Sequence, residues 1–293
     1  MKKLIVLIFF ITGYHANYAQ VFGLQFGMGT SHYLGDLGGK PTYGTNGPSD
    51  LDWETTRYVL NTGLRINVSP TFAFRLTGSY GRLAGDDKYT TNLERKGRNL
   101  NFYSHIAEGS LTMQANLGKS KRMYVFGGLG YFTFNPKTKL GNSVYELHKY
   151  GTEGQYHNPQ KAPYALNAVS FPFGVGYKLA ATKNGYFSLE FSFRKTTTDY
   201  IDDVSTTYAD PTLLAASNGS IAVQLSNRSL STGIPGFSEP GAIRGNSKNN
   251  DNFSFLTINY ILQIGVKDYG AGFGNGKKHR GRRRKGSCPD MTF

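Results

Sequence analysis

The stretch that decides the fold is residues 58–81, YVLNTGLRINVSPTFAFRLTGSYG. Two runs of alternating side chains flank a short turn centred on Ser69-Pro70. Apolar and aromatic residues take every second position, and the positions between them are mostly small or polar and include Arg65 and Arg75. Successive side chains of a strand point to opposite faces. The stretch therefore predicts a β-hairpin with one apolar face and one polar, partly charged face.

The same two-residue period recurs elsewhere, so the sequence predicts eight strands in all. The alternation is weaker in the fourth predicted strand, and the fifth is apolar on both faces, so its faces cannot be assigned from the sequence. The six further segments are 22–29, 101–117, 122–135, 169–179, 187–194 and 256–264.

The polar faces of these strands carry charges of both signs. A soluble β-sandwich would turn its apolar faces inward and leave such charges in water, whereas a membrane barrel turns the apolar faces to lipid and pairs the charges inside. The predicted strands reach 11–17 residues, which exceeds the roughly 5–6 of a globular sheet and suffices for a tilted span, so their length favours the barrel. The charged residues are Arg65, Arg75, Glu108, Glu190 and Arg194.

The connections between the predicted strands alternate in length. Short links follow strands two, four and six, and long links follow strands one, three, five and seven; the short ones are 67–71, 118–122 and 181–185, and the long ones are 34–56, 84–99, 136–166 and 201–251. Short periplasmic turns and long outer loops are typical of outer-membrane barrels. The predicted fold is all-β: an OmpA-like, eight-stranded antiparallel up-and-down transmembrane β-barrel with long extracellular loops and both termini in the periplasm.

The two ends of the chain lie outside the predicted barrel. Residues 1–19 predict a signal peptide, because two lysines precede a short apolar run; a membrane-anchoring helix, the alternative, needs roughly 20 apolar residues. The predicted organisation is a signal peptide at 1–19, an outer-membrane barrel at 20–266 and a basic periplasmic tail at 267–293. The stretch 210–227 is compatible with a short helix in the last long loop.

The net charge of +14 divides into +2 for residues 1–19, +6 for residues 20–276 and +6 for residues 277–293, so a short tail with seven basic residues and one acidic residue carries as much net charge as the rest of the chain after residue 19. Such a tail fits nucleic acid, lipid phosphate or an acidic protein, and a periplasmic location excludes nucleic acid in normal function. A solvated tail without a partner is the alternative. The predicted partner-binding residues are Lys277, Lys278, Arg280, Arg282, Arg283, Arg284, Lys285 and Cys288.

Cys288 is the only cysteine, which rules out an internal disulfide framework and a cysteine-rich zinc site. An odd cysteine in an oxidising compartment suggests an intermolecular partner. Our hypothesis is that electrostatic attraction brings the tail to a periplasmic partner and that Cys288 can then form an intermolecular disulfide with it.

A group of carboxylates lies just after the seventh strand, where Asp199, Asp202 and Asp203 surround Tyr200. Clustered carboxylates can hold Ca²⁺. They can also order a loop through hydrogen bonds from backbone to side chain, and we favour this second interpretation.

Only two adjacent hydroxyl–imidazole pairs occur, Ser31-His32 and Ser104-His105. Neighbours on a strand point to opposite faces, so neither pair can form a nucleophile and its base. We therefore expect a non-enzymatic protein without a cofactor or a metal site.

Several segments resemble PorG-type outer-membrane proteins of Bacteroidetes. The Asp199–Ser205 run is the most specific of them, and together they span nearly the whole chain after residue 19. The segments are Tyr33–Gly39, Gly151–Gln155, Pro172–Gly176, Arg194–Thr196, Thr198–Ser205 and Arg244–Asn246.

This resemblance implies an integral outer-membrane component of the type IX secretion system, which exports proteins and supports motility in gliding species. In that family the barrel associates with a periplasmic ring of a lipoprotein and its partner, PorK/PorN or, in gliders, GldK/GldN. The resemblance thus makes the ring the expected partner of the basic tail, beside outer-membrane lipid. A small ligand-binding or adhesive outer-membrane barrel is the alternative.

Overall fold

The structure is a computed structural model that describes residues 21–38, 54–90, 92–156, 158, 161–229 and 238–264. These residues form ten strands and three α-helices. The strands are β1 (Val21–Leu34), β2 (Arg57–Asn67), β3 (Phe72–Asp86), β4 (Asn101–Asn116), β5 (Met123–Thr133), β6 (Pro136–Leu140), β7 (Ser143–Glu146), β8 (Asn167–Thr182), β9 (Gly185–Thr196) and β10 (Asn252–Ile264). The helices are α1 (Leu93–Arg98), α2 (Pro211–Asn218) and α3 (Ser220–Ser226).

Eight of these strands close into a barrel. Each pairs antiparallel with its neighbours in the order β1-β2-β3-β4-β5-β8-β9-β10, and β10 pairs back to β1 with Phe22 opposite Ile264. The remaining two, β6 and β7, form a hairpin that extends from β4 beyond the rim. The predicted all-β, eight-stranded antiparallel up-and-down barrel is confirmed.

The apolar faces of the strands point outward. In the opening hairpin, Leu64 and Leu76 are more than half exposed, whereas Arg65 and Arg75 between the same apolar positions are buried in the lumen. The fifth predicted strand is now oriented, because Phe132 is fully buried inside. Its outward residues, like those of the other strands, are large and apolar or aromatic: Val125, Leu129 and Tyr131.

The lower lumen, at the end with the short turns, is filled by paired charges. Arg75 donates to Glu190 at 2.8 Å, and Arg194 donates to Glu108 at 3.1 Å. The Tyr124 hydroxyl donates a further hydrogen bond to Glu190 at 2.6 Å. The predicted pairing of opposite charges inside the barrel is thus confirmed for these four residues, whereas Arg65 donates to the Tyr186 hydroxyl. A small cavity lies among the side chains of this region.

The long connections are partly structured. The last of them contains α2 and α3, two short helices within the stretch 210–227 that the sequence left as compatible with one helix. Asp210 caps α2 by accepting hydrogen bonds from the backbone of Thr212 and Leu213, and Pro211 occupies the first turn. Gly219, with φ +83°, separates the helices in a backbone conformation that favours glycine.

Candidate functional site

The described parts of the four long connections fold over one end of the barrel, and we call them the cap. The upper lumen and the cap share one apolar core, in which Phe132 and Phe253 pack edge to face at 5.3 Å. This core blocks the lumen from above. Its buried members are Tyr33, Leu37, Val59, Leu83, Leu100, Phe102, Ile106, Phe132, Phe134, Leu147, Ala168, Ile201, Val204, Leu225, Phe253 and Phe255.

Glu153 and Arg244 form the central ion pair of the cap. Arg244 donates to the Glu153 carboxylate at 3.0 Å and to the Asp203 backbone carbonyl at 2.5 Å. Glu153 also accepts the backbone N–H groups of Ser205 and Thr206, at 2.9 and 3.1 Å. The pair is buried on both sides, so each charge depends on the other and on these backbone groups.

Arg98, the last residue of α1, ties a second loop to this centre. It donates to the Asp87 carboxylate from two nitrogens, each at 2.8 Å. It also donates to the backbone carbonyls of Asp36 at 2.7 Å and of Arg244 at 2.5 Å. One buried guanidinium therefore holds three connections of the cap together.

Tyr33, at the top of β1, lies between two carboxylates. Its hydroxyl oxygen is 2.7 Å from Asp202 and 2.5 Å from Asp251, and it accepts the backbone N–H of Asp36 at 3.0 Å. A phenol has a single hydrogen to donate. For both acids to be hydrogen-bonded to it, one of them must carry a proton. Burial, followed by the charge of a nearby Asp, raises the pKa of Asp202 and that of Asp251 well above the ordinary value.

Asp199 lies beside this cluster. It is buried, and neither carboxylate oxygen has a hydrogen-bond partner. Burial raises the pKa of Asp199 to about 9, and the charges of Asp36 and Asp202 act in the same direction. In the described part of the chain, no three His, Cys, Asp or Glu side chains form a group that could hold a metal ion.

The acidic run identified in the sequence orders its loop as predicted. Asp202 accepts the backbone N–H of Val204 at 2.9 Å, while Asp203 accepts the hydroxyls of Thr152 and Tyr164 at 2.5 and 2.6 Å. The three aspartates thus have different surroundings. Tyr200, the fourth predicted residue, stacks on Tyr164 with ring centroids 4.4 Å apart.

Four of the segments on which the family resemblance rests meet in this cap. Tyr33–Gly39, Gly151–Gln155, Thr198–Ser205 and Arg244–Asn246 supply the residues of the network above. Sequence analysis singled out Asp199, Asp202 and Asp203 but did not assign roles to Glu153, Arg244, Arg98 or Asp251. The sequence did contain a signal for Glu153 and Arg244, because both lie within segments that carry the family resemblance. The predicted tail residues from Lys277 to Cys288, and the predicted signal peptide, lie outside the described residues.

A family model described as "Domain of unknown function (DUF6089)" matches residues 2–218, which is most of the chain. The chain belongs to the DUF6089 family. The DUF6089 match ends at the last residue of α2. It therefore includes Glu153 and the Asp199–Asp203 run but not Arg244.

Among curated proteins, none matches this DUF6089 chain in sequence. Solved structures with a similar fold include Neisserial surface protein A, at 8% identity and a TM-score of 0.35 over 82% of this chain and 96% of that one. Ail of Yersinia pestis, in complex with the heparin analogue sucrose octasulfate, is 9% identical and has a TM-score of 0.37, over 84% of this chain and 100% of that one. The N-terminal barrel domain of Pseudomonas aeruginosa OprF is 11% identical and has a TM-score of 0.32, over 82% of this chain and 97% of that one.

Among the described residues, no helix has the length and apolar character needed to cross a membrane.

Proposed function

We propose that this protein is a non-enzymatic integral outer-membrane barrel that anchors or positions the periplasmic lipoprotein ring of a type IX secretion system. The resemblance of its segments to PorG-type proteins supplies the link to that system. The barrel supplies the anchor and the basic tail the contact.

Membrane insertion is supported by the outer surface of the barrel. Each of its eight strands turns large apolar or aromatic side chains outward, and these are about 40–60% exposed. Exposed apolar surface of this extent is unfavourable in water and matches the hydrocarbon of a bilayer. We place the cap on the extracellular side because long outer loops and short periplasmic turns are usual in such barrels.

The observation that carries the anchoring role is the filled lumen. Buried Arg–Glu pairs occupy the lower lumen, and the apolar core that the barrel shares with the cap closes the upper lumen. An eight-stranded barrel has room only for its own side chains. It therefore offers no path for a secreted polypeptide, and its contribution to secretion must come from position and contact.

The test is a pull-down of the full chain from detergent-solubilised cell envelopes. We expect periplasmic ring proteins to be recovered with it, because β10 ends at the short-turn end of the barrel and the basic tail, the proposed contact, follows β10 in the sequence. Recovery of no ring protein, together with intact secretion in a deletion strain, would contradict the proposal.

A non-reducing gel of the same envelopes tests the role of Cys288. We expect an adduct that depends on Cys288 and collapses with reductant. A monomer both with and without reductant would contradict the intermolecular disulfide, and the tail would then contact its partner through electrostatic attraction alone.

The second candidate is a small ligand-binding or adhesive outer-membrane barrel. The ordered cap favours it, since α2 and α3 present exposed side chains such as Leu213 on a fixed framework. Removing α2 and α3 discriminates between the candidates. Loss of surface binding with normal secretion would favour the adhesive role. Loss of secretion would favour the role in the secretion system.

A further inference from the structure

The barrel end opposite the cap carries a cluster of lysines. Lys119 and Lys121 lie in the turn between β4 and β5, and Lys183 lies in the turn between β8 and β9. Lys178, near the end of β8, points instead into the lumen, where its ammonium lies 5.2 Å from the centroid of the buried Tyr186 ring. We call Lys119, Lys121 and Lys183 the basic face.

The two turns of the basic face belong to hairpins that are neighbours in the barrel. Because β5 pairs with β8, the backbone N–H of Lys178 donates to the carbonyl of Arg122 at 3.0 Å, and Lys183 follows five residues farther along the chain. The Lys121 ammonium contacts the Thr71 hydroxyl at 3.4 Å, which joins the β2–β3 turn to the cluster. That third turn, Asn67–Thr71, has no charged residue. The basic face therefore occupies one side of the barrel end.

No carboxylate balances these charges nearby. The five strand ends and turns that form this end of the barrel contain neither Asp nor Glu. The closest acids along the lumen, Glu108 and Glu190, are already paired with Arg194 and Arg75. The described segments concerned are 21–25, 64–75, 113–125, 175–188 and 260–264.

The basic face lies directly at the edge of the apolar outer surface. Leu117 and Met123 flank the β4–β5 turn, and Tyr177 and Leu179 face outward near the end of β8, before the turn that holds Lys183; all four are more than 40% exposed. If the strands cross a bilayer, as the proposed function requires, the lysines lie at the level of the lipid headgroups. Lysine suits this place because its long stem stays with apolar groups while the ammonium reaches the polar layer.

We propose that the basic face binds the phosphate groups of anionic phospholipids in the membrane leaflet at the short-turn end of the barrel. The position of the lysines beside the apolar surface favours lipid over a protein that docks farther from the membrane. Binding is confined to the side formed by β4, β5, β8 and β9, so it orients the barrel with respect to its lipids. This inference rests on membrane insertion, which belongs to the proposed function.

The test uses the full chain reconstituted in phosphatidylethanolamine bilayers with spin-labelled phosphatidylglycerol or spin-labelled phosphatidylcholine. Seven tail cations, at 277, 278, 280, 282, 283, 284 and 285, are replaced by Gln so that the tail does not contribute. Electron paramagnetic resonance then measures the motionally restricted fraction of each lipid. We expect phosphatidylglycerol to be preferred by at least about fivefold, the factor that one lysine near an anionic surface supplies.

The decisive variant is Lys119→Gln/Lys121→Gln/Lys183→Gln, which should abolish the preference. Its matched control, Lys88→Gln/Lys149→Gln, removes exposed lysines of the cap and should leave the preference unchanged. Equal restriction of the two lipids, or a preference that survives the triple substitution, would overturn the inference. An acidic protein would then be the candidate ligand of the basic face. Absence of any restricted lipid would instead overturn membrane insertion itself, so the two failures are distinguishable.

Discussion

Arg244 is the residue on which the cap depends most. It is buried between Glu153 and Asp203, and it also donates to the Asp203 carbonyl. Replacing it by Met would leave two carboxylates without their cation. Breaking a buried pair in this way costs about 3–5 kcal/mol.

We therefore predict that Arg244→Met makes the loop 197–229 markedly more sensitive to protease in the detergent-solubilised protein. Lys248→Met, which removes an exposed cation from the same connection, is the control and should have little effect. Equal protease sensitivity of Arg244→Met and the unsubstituted protein would contradict the assigned role.

The pH dependence of the cap follows from its raised pKa values. An Asp is ionised above about pH 3.9 in the unfolded chain, whereas burial raises the pKa of Asp199 to about 9 in the folded cap. The folded state therefore holds the proton more tightly than the unfolded state between these values. The stability that this group contributes is fully present below the unfolded pKa and is lost as pH rises through about 9.

We predict that hydrogen exchange in the cap accelerates between pH 6 and pH 9.5 while exchange in the barrel strands keeps only its intrinsic pH dependence. Asp199→Asn cannot ionise, so it should flatten this change and raise the Tm of the cap at pH 9 by roughly a few °C. Asp210→Asn, which keeps the cap of helix α2, is the control and should follow the unsubstituted protein. Equal protection of the cap at both pH values would contradict the raised pKa of Asp199 in the folded protein.

Among the elements, β8 and β5 meet through a close contact between Gly176 and Tyr124. A Cβ at Gly176 would overlap the Tyr124 ring, so the ring can occupy its observed position only because residue 176 has no side chain. Displacing the ring would also strain the 2.6 Å hydrogen bond from Tyr124 to Glu190. Gly109, in β4, has open space where its Cβ would be.

We predict that Gly176→Ala lowers the free energy of unfolding by about 1–3 kcal/mol, the usual cost of overpacking. Gly109→Ala should change it by well under 1 kcal/mol. Urea unfolding measures the stability of both variants. The unfolded fraction is monitored on an unheated gel, where the unfolded protein migrates more slowly than the folded barrel. Equal stability of the two variants would show that Tyr124 adapts without cost.

The strands could be predicted because their signal is local. Alternation over a few residues fixes which face is apolar, and the lengths of the connections fix an up-and-down order. The fifth strand was the exception, and the structure explains why. Its inner face is apolar because Phe132, and Phe134 just beyond the strand, belong to the core beneath the cap, so both faces meet apolar surroundings.

The cap could be predicted only in part. The aspartates after β9 stand together in the sequence, whereas Glu153 and Arg244 are 91 positions apart and meet only in the folded loops. Asp251 is just before β10, where nothing in its local sequence distinguishes it from a loop acid. Pairings over such separations depend on how four connections pack, and a local pattern carries no information about that.

For the whole molecule, charge is arranged along the barrel axis. The cap buries more carboxylates than guanidiniums, whereas the short-turn end carries lysines and no carboxylate in its described segments. Between them lie the paired charges of a closed lumen. This polarity gives the barrel two chemically different ends. The buried carboxylates of the cap are Asp36, Asp87, Glu153, Asp199, Asp202, Asp203 and Asp251.

We infer that this barrel crosses the outer membrane with its cap outside, and cysteine labelling can test both the insertion and the orientation. In a Cys288→Ser background, single cysteines replace Leu213 in the cap, Leu111 on the apolar outer surface and Ser120 in a short turn. All three side chains are exposed on the isolated barrel. Cells expressing each variant are treated with a membrane-impermeant maleimide before and after permeabilisation of the outer membrane.

We predict that the cysteine at 213 is labelled on intact cells and the one at 120 only after permeabilisation, because they lie on opposite sides of the bilayer. The cysteine at 111 should react only after denaturation, since lipid covers it. Labelling of position 111 as readily as position 213 would contradict membrane insertion. Labelling of position 120 but not 213 on intact cells would contradict the orientation.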